Sequence, residues 1–104
     1  MSVLLEFAMF PTDKGESLST YVSQVVSMIR ESRNAYQLTP MGTIVETDSL
    51  EEALAVIQSA YEVLDKAGCN RVYASFKLDI RKGRTNGLQG KLNSISEKIG
   101  EVSH

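Results

Sequence analysis

"RVYASFKLDIRKGR", residues 71–84, is the stretch whose reading decides the fold. Val72, Ala74, Phe76, Leu78 and Ile80 are apolar, and the residues between and around them, Arg71, Tyr73, Ser75, Lys77, Asp79 and Arg81, are polar or amphipathic. A period of two sustained this long belongs to a strand whose successive side chains leave opposite faces of a sheet. One face is made for burial and the other carries fixed charge. The remaining elements should therefore cover one side of a sheet only.

Upstream, "TDSLEEAL" (47–54) holds two overlapping capping boxes, Asp48 with Glu51 and Ser49 with Glu52, each able to satisfy orphan amide donors at a helix start. Leu50, Ala53, Leu54, Ile57, Tyr61 and Leu64 follow at helical spacing and predict the buried stripe, with Gly68 closing the helix. Before it, Thr39, Pro40, Met41 and Gly42 match a type I turn with proline second and glycine fourth, so the flanking segments form a hairpin. From Leu18, the residues Tyr21, Val22, Val25, Met28 and Ile29 predict another amphipathic helix, with Ser17 as its N-cap and Asn34 as its left-handed stop. "SVLLEFAMF" (2–10) reads as a strand ended by Pro11, which has no amide to donate. Downstream, "KGRTNG" (82–87) is a loop, and Leu88, Leu92, Ile95, Ile99 and Val102 line one side of a terminal helix. Gly90 and Gly100 weaken that helix, so it depends on packing.

The resulting order is strand, helix, strand, strand, helix, strand, helix. That is an α+β, ferredoxin-like βαββαβ sandwich with an added C-terminal helix, a four-stranded antiparallel sheet under two helices. Right-handed crossovers put both helices on the same side and leave the second face of the sheet bare. A chain of 104 residues suits a single domain spanning residues 1–104.

Composition narrows the function classes. Hydrophobic residues at 42% and charged ones at 23% are ordinary for a globular chain. A net charge of −2 with interspersed signs gives no field to concentrate nucleic acid or an anionic membrane. Cys69 alone forms no internal disulfide, residues 1–10 lack the charged-then-apolar pattern of a leader, and the expected location is the cytoplasm. Cys69 follows Gly68 at a helix end with no nearby ligand partner, so it reads as a small packed hydrophobe. The single histidine, His104, is the last residue, which leaves no basis for a histidine triad or a histidine metal site. No phosphate loop, dinucleotide fingerprint or nucleophile elbow is present. Neither catalytic residues nor metal ligands nor a cofactor are assigned.

The bare face poses the functional question. Both sides of the first strand are mostly apolar, Val3, Leu5, Phe7 and Met9 on one and Leu4, Glu6, Ala8 and Phe10 on the other. A fully solvated face has no need of such residues, so a partner subunit is expected to cover part of it. Glu6, Glu46 and Asp79 lie on three different strands. They are either solvated charges worth about 0.2–1 kcal/mol in cross-strand pairs or a set that converges on a small ligand, and the strand register decides which faces they share. RNA-recognition domains use this topology but stack bases on aromatic platforms of the central strands. Here Tyr73 and Phe76 fall on opposite sides.

"MFPTDKGESLSTYVSQVV", "YQLTPMGTIVET" and "RVYASFKLDIRKGR" taken in order resemble the small thiamin-binding-protein-like family over Phe7 to Arg81. The resemblance implies a ferredoxin-like fold with a terminal helix, assembled into homodimers or homotetramers. It also implies non-enzymatic binding of thiamin or its hydroxymethylpyrimidine moiety. Such a ligand wants a carboxylate and acceptors for its aminopyrimidine, an apolar or aromatic wall, and negative charge near its thiazolium. Thr43, Glu46, Arg71, Asp79 and Arg81 stand in the matched motifs. Glu6 adds a further polar group, and Tyr36, Met41 or Tyr73 the wall. Two departures bear on the pocket rim: Thr47 stands where the family often has glycine, and the first loop, "PTDKG", is longer than usual. The expected partners are a small molecule and further copies of this chain across the open face, with no nucleic acid and no membrane. The rival readings are an assembly or regulatory module without a ligand, and a weak enzyme acting on a pyrimidine.

Overall fold

The computed structural model describes residues 1–16 and 18–83. Its elements are β1 (Ser2–Pro11), α1 (Ser19–Ser32), β2 (Tyr36–Thr39), β3 (Gly42–Thr47), α2 (Leu50–Lys66) and β4 (Val72–Arg81). The strands form one antiparallel sheet in the order β2-β3-β1-β4. This is the ferredoxin-like α+β arrangement read from the sequence. The proposed cap Ser17 and the proposed terminal helix from Leu88 to Val102 lie outside the described residues.

Central β1 pairs with β3 from Val3↔Thr47 to Phe7↔Thr43, and with β4 from Ser2↔Arg81 to Pro11↔Val72. Its helix-facing residues Val3, Leu5, Phe7 and Met9 meet Val45 of β3, Val25 and Ile29 of α1, and Ala53, Val56, Ala60 and Leu64 of α2. The buried flank of α2 differs from the expected stripe. Ala53 and Ala60 are fully buried, whereas Leu50, Leu54 and Tyr61, expected inside, are exposed. Leu54 and Tyr61 each follow one of those alanines, about 100° further round the helix. Alanine lets the helix axis approach the sheet closely, and the larger neighbours are left at the side.

The alternation of β4 holds, because Val72, Ala74, Phe76, Leu78 and Ile80 sit opposite the helix-facing residues of β1. Their burial is less than the pattern predicts: Phe76 is 51% exposed and Ile80 45%. β4 lies at the sheet edge, and the helices cross nearer its centre.

The helix ends show where local chemistry rules. Ser49 Oγ accepts the Glu52 N–H at 3.1 Å and the Glu52 carboxylate accepts the Asp48 N–H at 3.0 Å, so one of the two predicted capping boxes supplies the start of α2. At its end, Gly68 takes a φ of +83°, the Gly68 N–H donates to the Asp65 carbonyl at 3.0 Å and the Cys69 N–H to that of Leu64 at 3.1 Å. These two bonds make a Schellman cap, and Cys69 and Leu64 both join the core, as a packed-hydrophobe role for Cys69 requires. The end of α1 departs from expectation: Arg33, not Asn34, takes the left-handed conformation, at φ 65°.

At the hairpin, Thr39 Oγ1 accepts the N–H groups of Met41 and Gly42 at 3.2 and 3.1 Å and donates to the Gly42 carbonyl at 2.8 Å. A Cβ on Gly42 would stand 2.8 Å from the Phe7 carbonyl oxygen. That oxygen belongs to the central strand and has nowhere to retreat. Gly42→Ala should therefore destabilise the fold by about 1–3 kcal/mol, the usual range for overpacking, read as a lower urea midpoint.

Beyond the paired strands, the Thr12 N–H donates to the Arg71 carbonyl at 2.9 Å and the Asn70 N–H to Asp13 Oδ2 at 2.8 Å. The Asn70 amide holds the Asp13 carboxyl below its ordinary value of 3.8. A carboxylate with a depressed pKa stabilises the fold above its unfolded value and loses that contribution as pH falls through the folded one. Asp13→Ala should thus melt earlier than the parent at neutral pH, with the gap closing as the pH is taken below 3.8.

Candidate functional site

Strand pairing settles which carboxylates share a face. Leu4 is paired with Glu46 on one side and Asp79 on the other, and Glu6 is paired with Ile44 and Lys77. Glu6, Glu46 and Asp79 therefore all point away from the helices. Two strand spacings of about 4.8 Å put Glu46 and Asp79 roughly 10 Å apart at the backbone. Between them Leu4 is almost fully buried, an apolar floor flanked by two acids. Arg81, opposite Ser2, adds a cation at the same end of the sheet.

Ser2 Oγ donates to Glu46 Oε2 at 2.6 Å. This bond is charge-assisted and orients the carboxylate. A recess of about 250 Å³ opens beside it, lined by Ser2, Arg33, Asn34, Glu46, Thr47 and Asp48 among others. The carboxylates are spread rather than gathered, and among the described residues no three His, Cys, Asp or Glu side chains are grouped to hold a metal ion.

The other residues expected at the site are distributed over the molecule. Thr43 and Tyr36 lie on the helix side, Thr43 buried and Tyr36 packed against the core, so the sheet separates them from Glu46. Met41 stands exposed at the hairpin tip. With Thr43 it lines a second, apolar hollow of about 280 Å³ between α1 and the hairpin, where Phe7, Phe10, Val22 and Leu38 also contribute. Tyr73 does face the open side and meets Phe10 with ring centroids 5.8 Å apart. The Phe10–Tyr73 pair lies six residues along β1 from Leu4, roughly 20 Å away at 3.3–3.4 Å per residue. Tyr73 and exposed Arg71 thus belong to the far end of the face, out of reach of a ligand held by Glu46 of the same chain.

Sequence reasoning missed Ser2, Leu4 and Arg33. Leu4 and Ser2 needed the register. Arg33 had no readable signal, because an arginine in the left-handed region is unfavourable on local grounds. It lines the recess beside Glu46.

A model of the thiamine-binding protein family matches residues 5–96. The chain belongs to that family. A UPF0045 protein of Methanothermobacter thermautotrophicus is 36% identical over 83 residues, 80% of this chain and 84% of that one. A solved protein from Methanocaldococcus jannaschii superposes with a TM-score of 0.79 at 33% identity, covering 92% of this chain and 97% of that one. A candidate thiamine biosynthesis/salvage protein of Thermotoga maritima superposes with a TM-score of 0.72 at 18% identity over 95% of this chain and 96% of that one, a likeness of fold.

Among the described residues, Arg33 is the non-glycine residue that takes a positive φ. A left-handed non-glycine residue costs about 1–2 kcal/mol. Arg33→Gly relieves that cost and gives back about 0.4–1 kcal/mol through the freer unfolded chain, so the urea midpoint should rise modestly, while a cation is removed from the rim of the Glu46 recess.

Proposed function

We propose that this thiamine-binding family member binds thiamin or a related hydroxymethylpyrimidine on its uncovered sheet face, without catalysis, as a homo-oligomer working in the cytoplasm and needing no cofactor. The observation that carries the reading is the row Glu46, Leu4, Asp79 on one face, with a recess beside the carboxylate that Ser2 orients. An aminopyrimidine presents N–H donors to a carboxylate and a flat ring to an apolar floor. Glu46 offers the first at the edge of the recess, while Leu4 beside it is almost fully buried and backs the row rather than presenting a surface to the ring. The thiazolium cation then finds Asp79 across the row.

Size argues for recognition of one ring. The recess of about 250 Å³ falls just under the roughly 300 Å³ at which sites for drug-sized molecules begin. It suits the pyrimidine better than the whole two-ring ligand, so the second ring rests on the open face or against a neighbouring subunit. Family membership favours binding over chemistry, because the family is named for the former. Among the described residues, no helix is long and apolar enough to cross a membrane.

Calorimetry with thiamin, hydroxymethylpyrimidine and thiamin phosphate tests the reading. Heat of binding is expected for thiamin or the isolated pyrimidine. Glu46→Gln should weaken it about ten- to a hundredfold, since a hydrogen bond to a charged group contributes about 1.5–3 kcal/mol. Silence with all three ligands, or a Glu46→Gln chain that binds as the parent does, overturns it. Arg33 at the rim would hold a phosphate, so Arg33→Gly should lower the preference for thiamin phosphate over thiamin.

A further inference from the structure

Thr43 differs from the threonines around it. Thr39 Oγ1 donates to the Gly42 carbonyl and Thr47 Oγ1 to that of Ser49, each at 2.8 Å. The hydroxyl of Thr43 has no hydrogen-bond partner among the described residues, although only 7% of the residue is exposed. Its place on the helix side of β3, opposite Phe7, points it into the apolar hollow beside α1. A hydroxyl buried without a partner is unfavourable, and such groups are rare in native folds. Water is a poor answer, because a trapped molecule needs about two to four polar partners. The other side chains lining the hollow are apolar except Thr39, whose hydroxyl is already engaged.

We propose that this hollow is a second binding site, separate from the Glu46 recess, and that it takes a neutral single ring carrying one hydroxyl, which bonds to Thr43 Oγ1. Size sets the first limit. An apolar cavity of about 150 Å³ is enough for benzene, and sites for drug-sized molecules begin at roughly 300 Å³, so a hollow of about 280 Å³ suits one ring with a short substituent. Charge sets the second. No charged residue lines the hollow, and an ion entering it would shed its hydration without meeting a counter-ion. That excludes a thiazolium or a phosphate, the groups for which the open face has Asp79 and Arg33. Thr43 sets the third, because valine has nearly its shape and would fill the same place without an orphaned hydroxyl. At the mouth, Leu38 and Met41 are exposed, and an unbranched methionine side chain adapts its shape to what it covers.

Heteronuclear NMR titration of the full-length chain tests this with p-cresol, toluene and p-toluate, one ring bearing a hydroxyl, no polar group or a carboxylate. The neutral phenol should shift the amides of Val25, Leu38 and Thr43 and leave that of Glu46 in place. The carboxylate should move none of them. Thr43→Val should keep the folded spectrum and hold p-cresol about two- to tenfold more weakly, the worth of one neutral hydrogen bond, while binding toluene no more weakly than the parent does. Thiamin, with its fixed cation, should not displace p-cresol. Silence with thiamin itself would leave the p-cresol shifts untouched, so the two sites are judged separately. The proposal is overturned by the absence of shifts at millimolar p-cresol, by shifts centred outside the hollow, or by equal binding of p-toluate. A Thr43→Val chain that holds p-cresol as tightly as the parent, or that loses toluene in step with it, overturns it too, as does displacement by thiamin.

Discussion

The fold depends on β1 being paired along both edges, with ten residues matched to β4 and five of them also to β3. A slip of one residue in either pairing would carry every side chain to the wrong face. Because the two pairings share one strand, they constrain each other. Val3, Leu5 and Phe7 must face the helices for the core to exist, and that requirement fixes where Glu46 and Asp79 go. Core and carboxylate row are two consequences of one register.

One-sided cover explains much of the rest. Both crossovers return on the same side, so α1 and α2 bury the odd-numbered residues of β1 and leave the even-numbered ones to the open face. Within that face, Ser2 and Leu4 are buried while Glu6 is exposed, so its exposure changes along the strand. The helices also do not extend fully over β4. That strand therefore has the hydrophobic pattern of a core strand and the exposure of an edge strand, and the mismatch is visible at Phe76 and Ile80.

How much was legible in the sequence varied with the range of the interactions involved. The alternation of β4, the Thr39–Gly42 turn, the Ser49–Glu52 cap and the Gly68 stop are local, and each could be read from a few neighbouring residues. The buried flank of α2 was misjudged because size was taken as a proxy for burial, whereas close packing on the sheet favoured Ala53 and Ala60 over Leu54 and Tyr61. Arg33 was unreadable because its left-handed conformation at the helix end runs against its own backbone preference. For the site, residue types pointed to Glu6, Glu46 and Asp79, but only pairing could show that they share a face. Pairing also shows that Thr43 and Tyr36 lie on the other side, and that Tyr73 lies too far along the strand to join Glu46.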